Sequence, residues 1–229
     1  MTRTERAATP PSTEKRIAIF CLIGIGYLVY LAIALTLLGR IHVSASSPIA
    51  SPPDVACALL RDALLCSAYP LAAFAFAKRR LSLPVISSAD SRRSRKHLLI
   101  LTFGLLFFLF IYVAFGPKNL DGLYRWLRYL IFVAFSEELL FRGIVFWGIY
   151  STLRQSPRAT VAACVVSGAL WGAGHGIAPF IMLGEGLQAF SHVGGGIVVG
   201  SIFALIMVKT KSLAIPVVAH ACMDSLSFI

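Results

Sequence analysis

Charge is scarce in this chain of 229 residues, since 14% of the side chains are charged and 58% are hydrophobic. A soluble domain carries about 25% charged residues, so these proportions exclude an ordinary water-soluble fold. Among the charged residues, the acidic ones are the fewer, with 10 against 21 basic ones, which gives a formal net charge of +11. The basic residues occur in short clusters between apolar runs, without a basic face carrying interleaved aromatic side chains. This pattern indicates the loops of a membrane protein and argues against a nucleic-acid partner.

Paired cysteines are also missing. The five cysteines stand singly in the sequence with no CxxC spacing, at Cys21, Cys57, Cys66, Cys164 and Cys222. A disulfide framework or a zinc knot needs cysteines at regular, close spacing, so neither is expected. We interpret the five thiols as small core residues. The chain lacks an HExxH motif as well, which excludes the commonest zinc peptidase signature.

Long apolar runs dominate what is present, and the mean hydropathy is +0.81. About 20 apolar residues cross a bilayer as a helix. The sequence therefore predicts an all-α, polytopic transmembrane bundle of about seven spans. We place them at 17–39, 54–77, 98–115, 129–150, 159–174, 194–208 and 213–229. The second span is unusual because Arg61 and Asp62 lie at its middle.

The basic segments predict how the chain is oriented. Lysine and arginine are concentrated before the first span and in the loop 78–97, so both segments are expected in the cytoplasm. The first span could be read as a signal peptide, but its roughly 22 apolar residues exceed the usual 7 to 15. The polar, glycine-rich segment 176–193 is expected to be an outer loop. We therefore predict a cavity in the outer half of the membrane.

Three charged residues interrupt the fourth span, namely Glu137, Glu138 and Arg142. Inserting an ionisable group at the centre of a membrane costs roughly 2.5 to 3.5 kcal/mol of free energy. Such a group therefore usually faces a protein interior or a water-filled cavity and has a function. Glu138 and Arg142 are four residues apart and can pair along one helix face, whereas Glu137 is turned about 100° away. An unpaired carboxylate there suits general-base work. The alternative is a buried ion cluster that only fixes helix packing.

Two histidines accompany these acids in other apolar segments. His175 follows a glycine-rich stretch of the fifth span, and His220 precedes Asp224 by one helical turn on the same face. Singly, such residues also serve as hydrogen-bond donors between helices. Together with Glu137 they would provide a base, electrophilic donors and an orienting carboxylate for activating water on an amide.

The same residues carry a resemblance to a known family. Residues 137–143, Glu-Glu-Leu-Leu-Phe-Arg-Gly, resemble the EExxxR motif of the CAAX-protease and bacteriocin-processing family of intramembrane endopeptidases, also called CPBP or Abi. Residues 171–175 resemble its FxxxH motif with tryptophan in place of phenylalanine, and residues 220–224 its HxxxN motif with aspartate in place of asparagine. The likeness covers about 131–226 and includes a similarity to the type II CAAX prenyl endopeptidases.

The resemblance implies an intramembrane protease with its catalytic cavity between the last four helices. Three domains follow: a disordered cytoplasmic tail at 1–16, N-terminal transmembrane helices at 17–127 and a catalytic helix bundle at 128–229. In the implied site, Glu137 activates water while His175, His220 and Asp224 complete the catalytic set, and Glu138, Arg142 and Trp171 support it. The aspartate replacing asparagine could orient His220 instead of stabilising an oxyanion.

Cofactor, substrate and location follow from the same likeness. It favours a metal-free mechanism, with zinc held by Glu137, His175 and His220 as the alternative. The expected substrate is a membrane-anchored or lipidated protein, cleaved at a CAAX-type tail or at a C-terminal sorting or propeptide segment. The protein is expected in a bacterial inner membrane with its N terminus in the cytoplasm. Because the CAAX members of the resembled family work on the cytoplasmic face, a cavity in the outer half implies either a different substrate or the inverted topology. The competing functions are a catalytically silent scaffold or regulator and a proton-coupled transporter.

Overall fold

The structure is a computed structural model that describes residues 11–40, 52–84, 91–116, 118–184 and 186–226. Seven helices and no strand occur within these ranges. They are α1 (Thr13–Arg40), α2 (52–80), α3 (Ser91–Phe115), α4 (120–152), α5 (159–183), α6 (Gly186–Thr210) and α7 (Ala214–Ser225). The predicted all-α class is therefore confirmed.

Three of the helices change their winding along their length. In α2, a π-helical turn at Ala63–Ser67 joins Pro52–Asp62 to Ala68–Arg80, and α5 continues from Ala159–Ala178 into a π-helical end at Pro179–Leu183. In α4, the segments are Leu120–Arg128, Tyr129–Ala134, Phe135–Glu138, Leu139–Phe146 and Trp147–Thr152, of which the second and fourth are π-helical. Such turns occur frequently at functional sites. Those of α4 flank the four residues that include both glutamates.

Five helical stretches are long and apolar enough to cross a membrane, namely Thr13–Leu37, Asp54–Arg80, Arg95–Phe115, Ala159–Ile181 and Gly186–Thr210. Large apolar side chains remain exposed on them, such as Phe103, which is 74% exposed. In a membrane these side chains face lipid, which agrees with the predicted polytopic bundle. The 12-residue α7 is about 18 Å long and reaches only part of the way across a hydrocarbon core of roughly 30 Å.

Several boundaries differ from those expected. Helix α1 begins at Thr13, four residues before the expected start, while residues 1–10 of the predicted tail lie outside the described residues. The predicted basic loop 78–97 is partly helical, because α2 ends at Arg80 and α3 begins at Ser91. Within it, residues 85–90 lie outside the described part of the chain, as do residues 227–229 of the last predicted span.

The predicted loop at 176–193 is wrong, because almost all of its described part is helical. Helix α5 continues past residue 174 to 183, and α6 starts at Gly186. Of its glycines, Gly176 lies at the contact between α5 and α6, where a Cβ atom would lie 2.5 Å from Val193 Cγ2, whereas a Cβ atom on Gly184 or Gly186 would meet nothing within 4 Å. The same helix contact continues beyond the segment. A Cβ atom on Gly196 would lie 2.6 Å from the Cα atom of Gly172, and one on Gly172 would lie 2.5 Å from the carbonyl oxygen of Val193. Hydrogen in place of a side chain lets the two backbones approach this closely.

Helix α4 lies at the centre of the bundle, where it packs against α1, α2, α5 and α7. Its fourth segment, Leu139–Phe146, is buried throughout. A hydroxyl group satisfies part of the backbone there, since Ser167 Oγ of α5 donates a 2.8 Å hydrogen bond to the carbonyl oxygen of Phe141. Glu138 and Arg142 of α4 are thus held within a packed core and not at its lipid face.

Candidate active site

The two adjacent glutamates of α4 point into different surroundings. Glu138 is completely buried, whereas Glu137 is partly buried and lines a cavity. The turn of about 100° between successive helical residues separates the two side chains. This is the arrangement expected from the sequence, with one acid paired along the helix and the other free of that pairing.

Glu138 and its partner Arg142 connect α4 to α6 and α7 through polar contacts. Its Oε2 atom lies 3.1 Å from Arg142 Nε, and its Oε1 atom lies 3.0 Å from His220 Nδ1 of α7. Arg142 also donates from Nη2 to the carbonyl oxygen of Gly200 in α6 at 3.1 Å. The predicted pairing of Glu138 with Arg142 is confirmed. The bond to His220 was not predicted, and it makes Glu138 a structural partner of the proposed catalytic histidine.

Glu137 is held by the motif tryptophan. The indole Nε1 of Trp171 donates a 2.6 Å hydrogen bond to Glu137 Oε2, and Trp171 is 1% exposed. The guanidinium carbon of Arg142 lies 4.8 Å from the centre of the indole ring. The sequence predicted Trp171 as a supporting aromatic residue, but not as a donor. A phenylalanine at this position would pack in the same place without donating a hydrogen bond.

The two histidines approach the same point from α5 and α7. His175 Nδ1 lies 3.1 Å from the carbonyl oxygen of Trp171. Because a carbonyl oxygen only accepts, this contact places a proton on Nδ1 and directs Nε2 elsewhere. His220 Nε2 lies 3.4 Å from Asp224 Oδ2, so the aspartate does neighbour His220 as expected. Each imidazole is therefore oriented through one of its nitrogens by a fixed partner.

Glu137, His175 and His220 form one cluster, in which a potential ligand atom from each lies within 4.8 Å of the other two. A carboxylate and two imidazoles are suitable zinc ligands. A tetrahedral zinc ion with ligands at about 2.0 to 2.2 Å places those atoms about 3.4 Å apart. The donor types fit zinc, and the side chains would have to close up around an ion.

A cavity of about 300 Å³ opens beside this cluster. Helices α4 and α5 contribute Glu137, Trp171 and His175 to its wall, and α1 and α2 complete it with residues such as Tyr27 and Cys66. The contributing parts are the second half of α1 and the first half of α2. The cavity therefore lies toward the end of the bundle opposite the basic loop 78–97.

A second charged group lies on the same cavity and was not predicted as a site. Asp62 is fully buried, and its Oδ2 atom accepts hydrogen bonds from Arg128 Nε at 2.6 Å and from the Tyr124 hydroxyl at 2.7 Å. Its Oδ1 atom lies 3.1 Å from Arg61 Nε. The available signal was the pair of charges in the middle of the second span. Arg128 of α4, which binds Asp62, lies 66 residues further along the chain, so local spacing could not identify it as the partner.

The fold and the cluster together define an all-helical membrane protein with a Glu-His-His site beside an internal cavity. Residues 119–226 match the family model described as type II CAAX prenyl endopeptidase, Rce1-like. The matched segment is a little under half of the chain and contains every motif residue named above. No curated protein and no solved structure gave a significant match. The predicted resemblance is confirmed, and the family is one of CAAX-type intramembrane proteases.

Proposed function

We propose that the protein is an intramembrane endopeptidase that uses Glu137 to activate water against a peptide bond of a membrane-anchored or lipidated protein. The observation that carries this proposal is the grouping of Glu137, His175 and His220 within 4.8 Å of one another beside the cavity. The match of residues 119–226 to the type II CAAX prenyl endopeptidase family model supports the same conclusion. Among substrates of that class, we favour those that carry a C-terminal prenylated cysteine motif.

Glu137 is placed to act as the general base. Trp171 occupies its Oε2 atom, which leaves Oε1 for a water molecule in the cavity. In the proposed step, the carboxylate removes a proton from water while the hydroxyl oxygen bonds to the scissile carbonyl carbon. When the tetrahedral intermediate collapses, the carbon–nitrogen bond breaks and the proton held by Glu137 passes to the leaving nitrogen. The products are a carboxylic acid and an amine.

The histidines stabilise the charge that develops in this reaction. Negative charge accumulates on the carbonyl oxygen in the transition state, and donors fixed in advance lower its energy without reorganisation. His220 is held through Nδ1 by Glu138 and His175 through Nδ1 by the Trp171 carbonyl, which leaves Nε2 of each ring to donate to the carbonyl oxygen. Asp224, 3.4 Å from His220 Nε2, orients that ring and takes no part in bond breaking.

Metal dependence is a separate point, because the donor set is compatible with zinc. A bound zinc ion would be held by Glu137, His175 and His220, and it would polarise the substrate carbonyl or a water molecule. We propose the metal-free reaction, in which Glu137 acts as a base and not as a ligand. A chelator should then leave cleavage intact. Loss of cleavage on chelation, restored by zinc alone, would reverse this assignment.

Cleavage by the purified protein in lipid vesicles tests the proposal. The substrate is a peptide ending in an S-prenylated cysteine and three further residues, analysed by mass spectrometry. The intact protein should release a C-terminal fragment, and Glu137→Gln should not. Glu14→Gln, on the exposed first turn of α1, serves as the matched control and should cleave normally.

Two other functions make different predictions in the same vesicles. A silent scaffold would cleave no protein of the membrane, whichever residue occupies position 137. A proton-coupled transporter would show pH-driven flux that depends on Glu137 and His220 without any new peptide terminus. The match of residues 119–226 to a peptidase family favours the protease over both.

A further inference from the structure

The charged group at the far end of the cavity has no role in the chemistry proposed above. Asp62 and Arg128 line the same cavity as Glu137 and His175, among otherwise mainly apolar residues. We propose that Arg128 binds the C-terminal carboxylate of the peptide substrate and so sets the distance from the chain end to the cleaved bond. This inference rests on the proposed function, since it assigns a subsite to that reaction.

Arg128 has hydrogen-bonding capacity to spare. A guanidinium carries five N–H donors in a rigid planar fork. Within the described ranges, the hydrogen bond of Arg128 runs from Nε to Asp62 Oδ2 at 2.6 Å. Both Nη groups are therefore available to a second acceptor, and their end-on edge matches the two oxygens of a carboxylate. The side chain of Arg128 is 26% exposed, which keeps it within reach of a ligand in the cavity.

Asp62 fixes the direction of this arginine. Its carboxylate is fully buried and is itself held by the Tyr124 hydroxyl at 2.7 Å and by Arg61 Nε at 3.1 Å. An acceptor held on several sides keeps the guanidinium in one orientation, so less side-chain freedom is lost when a ligand binds. Arg128 is thus a preorganised cation at the end of a mostly apolar cavity. An anionic group attached to an apolar ligand is the complementary partner.

The separation between the two polar ends fits a short peptide tail. Arg128 and Glu137 are nine residues apart on α4, which corresponds to at most about 13 Å, because the α-helical rise is 1.5 Å per residue and the π-helical turn Tyr129–Ala134 is more tightly wound along the axis. An extended peptide spans about 3.3 to 3.6 Å per residue, so about three or four residues bridge this distance. Tyr129 and Val133 line the cavity along the same helix between the two ends. A carboxylate at Arg128 would accordingly place the third or fourth peptide bond from the C terminus beside Glu137.

A purely structural role for the same residues predicts different behaviour. The Asp62 to Arg128 pair joins α2 to α4, and removing either partner of a buried pair destabilises a fold. A structural pair would therefore affect all substrates equally. A carboxylate anchor instead distinguishes substrates that differ only at their last atom group.

The test uses two S-prenylated peptides of identical sequence, one with a free C-terminal carboxylate and one with a C-terminal amide. The intact protein should cleave the carboxylate form about 10- to 100-fold better in kcat/KM, which is the range expected for a charge-assisted pair of hydrogen bonds. Arg128→Gln should remove this preference, so that kcat/KM for the two peptides differs by less than about threefold. Arg125→Gln is the control, because Arg125 pairs with Asp121 at 2.6 Å one turn away and does not line the cavity. It should retain the full preference.

The result that overturns the anchor is equal cleavage of the two peptides by the intact protein, or an equal loss with both in Arg128→Gln. Binding of both peptides to the Glu137→Gln protein gives a readout that needs no turnover. A preference for the carboxylate that disappears in Glu137→Gln/Arg128→Gln would support the anchor even if the intact protein cleaved neither peptide. That combination of results would contradict the proposed protease activity and support Arg128 as the carboxylate-binding residue. Equal binding of both peptides would contradict the anchor.

Discussion

Glu137 and Glu138 are neighbours in the chain, yet they belong to two different regions of the molecule. Glu138 lies on the closed side of α4, where Arg142 and His220 hold its two oxygens at 3.1 and 3.0 Å without exposure to solvent. Glu137 lies on the cavity side, where a single 2.6 Å hydrogen bond from Trp171 holds one oxygen. A helical step of about 100° is enough to separate a carboxylate that stabilises the bundle from one that faces a ligand.

The buried residues on the closed side of α4 position the groups that surround Glu137 on its cavity side. An uncompensated charge withdrawn from water is costly, so the ion pair on the closed side needs its full set of partners. With those partners in place, Glu138 orients His220 through a hydrogen bond. Arg142 lies against the ring of Trp171, and Trp171 donates the hydrogen bond that holds Glu137. The comparison therefore predicts that changes on the two sides affect different measured quantities.

The largest expected effect is on the cavity side. Glu137→Gln should lower kcat by roughly 100- to 10,000-fold, because the amide cannot remove a proton from water. Thermal unfolding in detergent should remain close to that of the intact protein, because the amide oxygen can still accept from Trp171 Nε1. A large drop in the unfolding temperature would contradict the separation of the two sides.

The converse change is expected on the closed side. Glu138→Gln leaves Arg142 buried without its carboxylate, and removing one partner of a buried pair costs about 3 to 5 kcal/mol of stability. The measurement is the shift of the thermal unfolding midpoint in detergent. The double variant Glu138→Gln/Arg142→Gln should recover part of this loss, because the unpaired charge is gone. Unchanged stability in the single variant would show that the pair is not structural.

Trp171 connects the two sides and should give an intermediate effect. Trp171→Phe retains an aromatic ring but removes the 2.6 Å hydrogen bond to Glu137, and hydrogen bonds to charged groups contribute about 1.5 to 3 kcal/mol. We expect kcat to fall about 10- to 100-fold while KM changes little. Trp147→Phe is the matched control, because its indole donates to the Pro84 carbonyl oxygen at 3.0 Å, away from Glu137. Equal losses in both variants would count against a specific role for Trp171.

The smallest expected effect concerns Asp224. Asp224→Asn keeps a polar group near His220 Nε2, where the present contact is 3.4 Å, so kcat should change by less than about tenfold. Steady-state kinetics with the same prenylated peptide measures this change. Asp121→Asn on the outer face of α4 provides the comparison. Complete loss of activity would make Asp224 a reacting group and not an orienting one.

Residues close together in sequence were the predictable part of this molecule. Apolar runs predicted the helices, and the four-residue spacing predicted that Glu138 meets Arg142 and that Asp224 neighbours His220. Helical geometry fixes such pairs without knowledge of the rest of the fold. The separation of Glu137 from that pairing followed from the same geometry.

Contacts across helices were not predictable, because nothing in local spacing fixes which helices are neighbours. The bonds of Trp171 to Glu137 and of Asp62 to Arg128 join residues 34 and 66 positions apart. Residues 176–193 were assigned to a loop for a related reason. The close approach of α5 and α6 at Gly172, Gly176 and Gly196 is a property of the helix pair and not of either segment alone.

A comparison of protein termini in membranes tests whether the protein cleaves peptide bonds by means of Glu137. Cells carrying the intact chain and cells carrying Glu137→Gln at equal abundance would be compared by mass spectrometry of protein N and C termini. We expect new termini on membrane-anchored proteins that appear only with Glu137 in place. Identical termini in the two membranes, with a prenylated or otherwise anchored substrate present, would contradict this expectation.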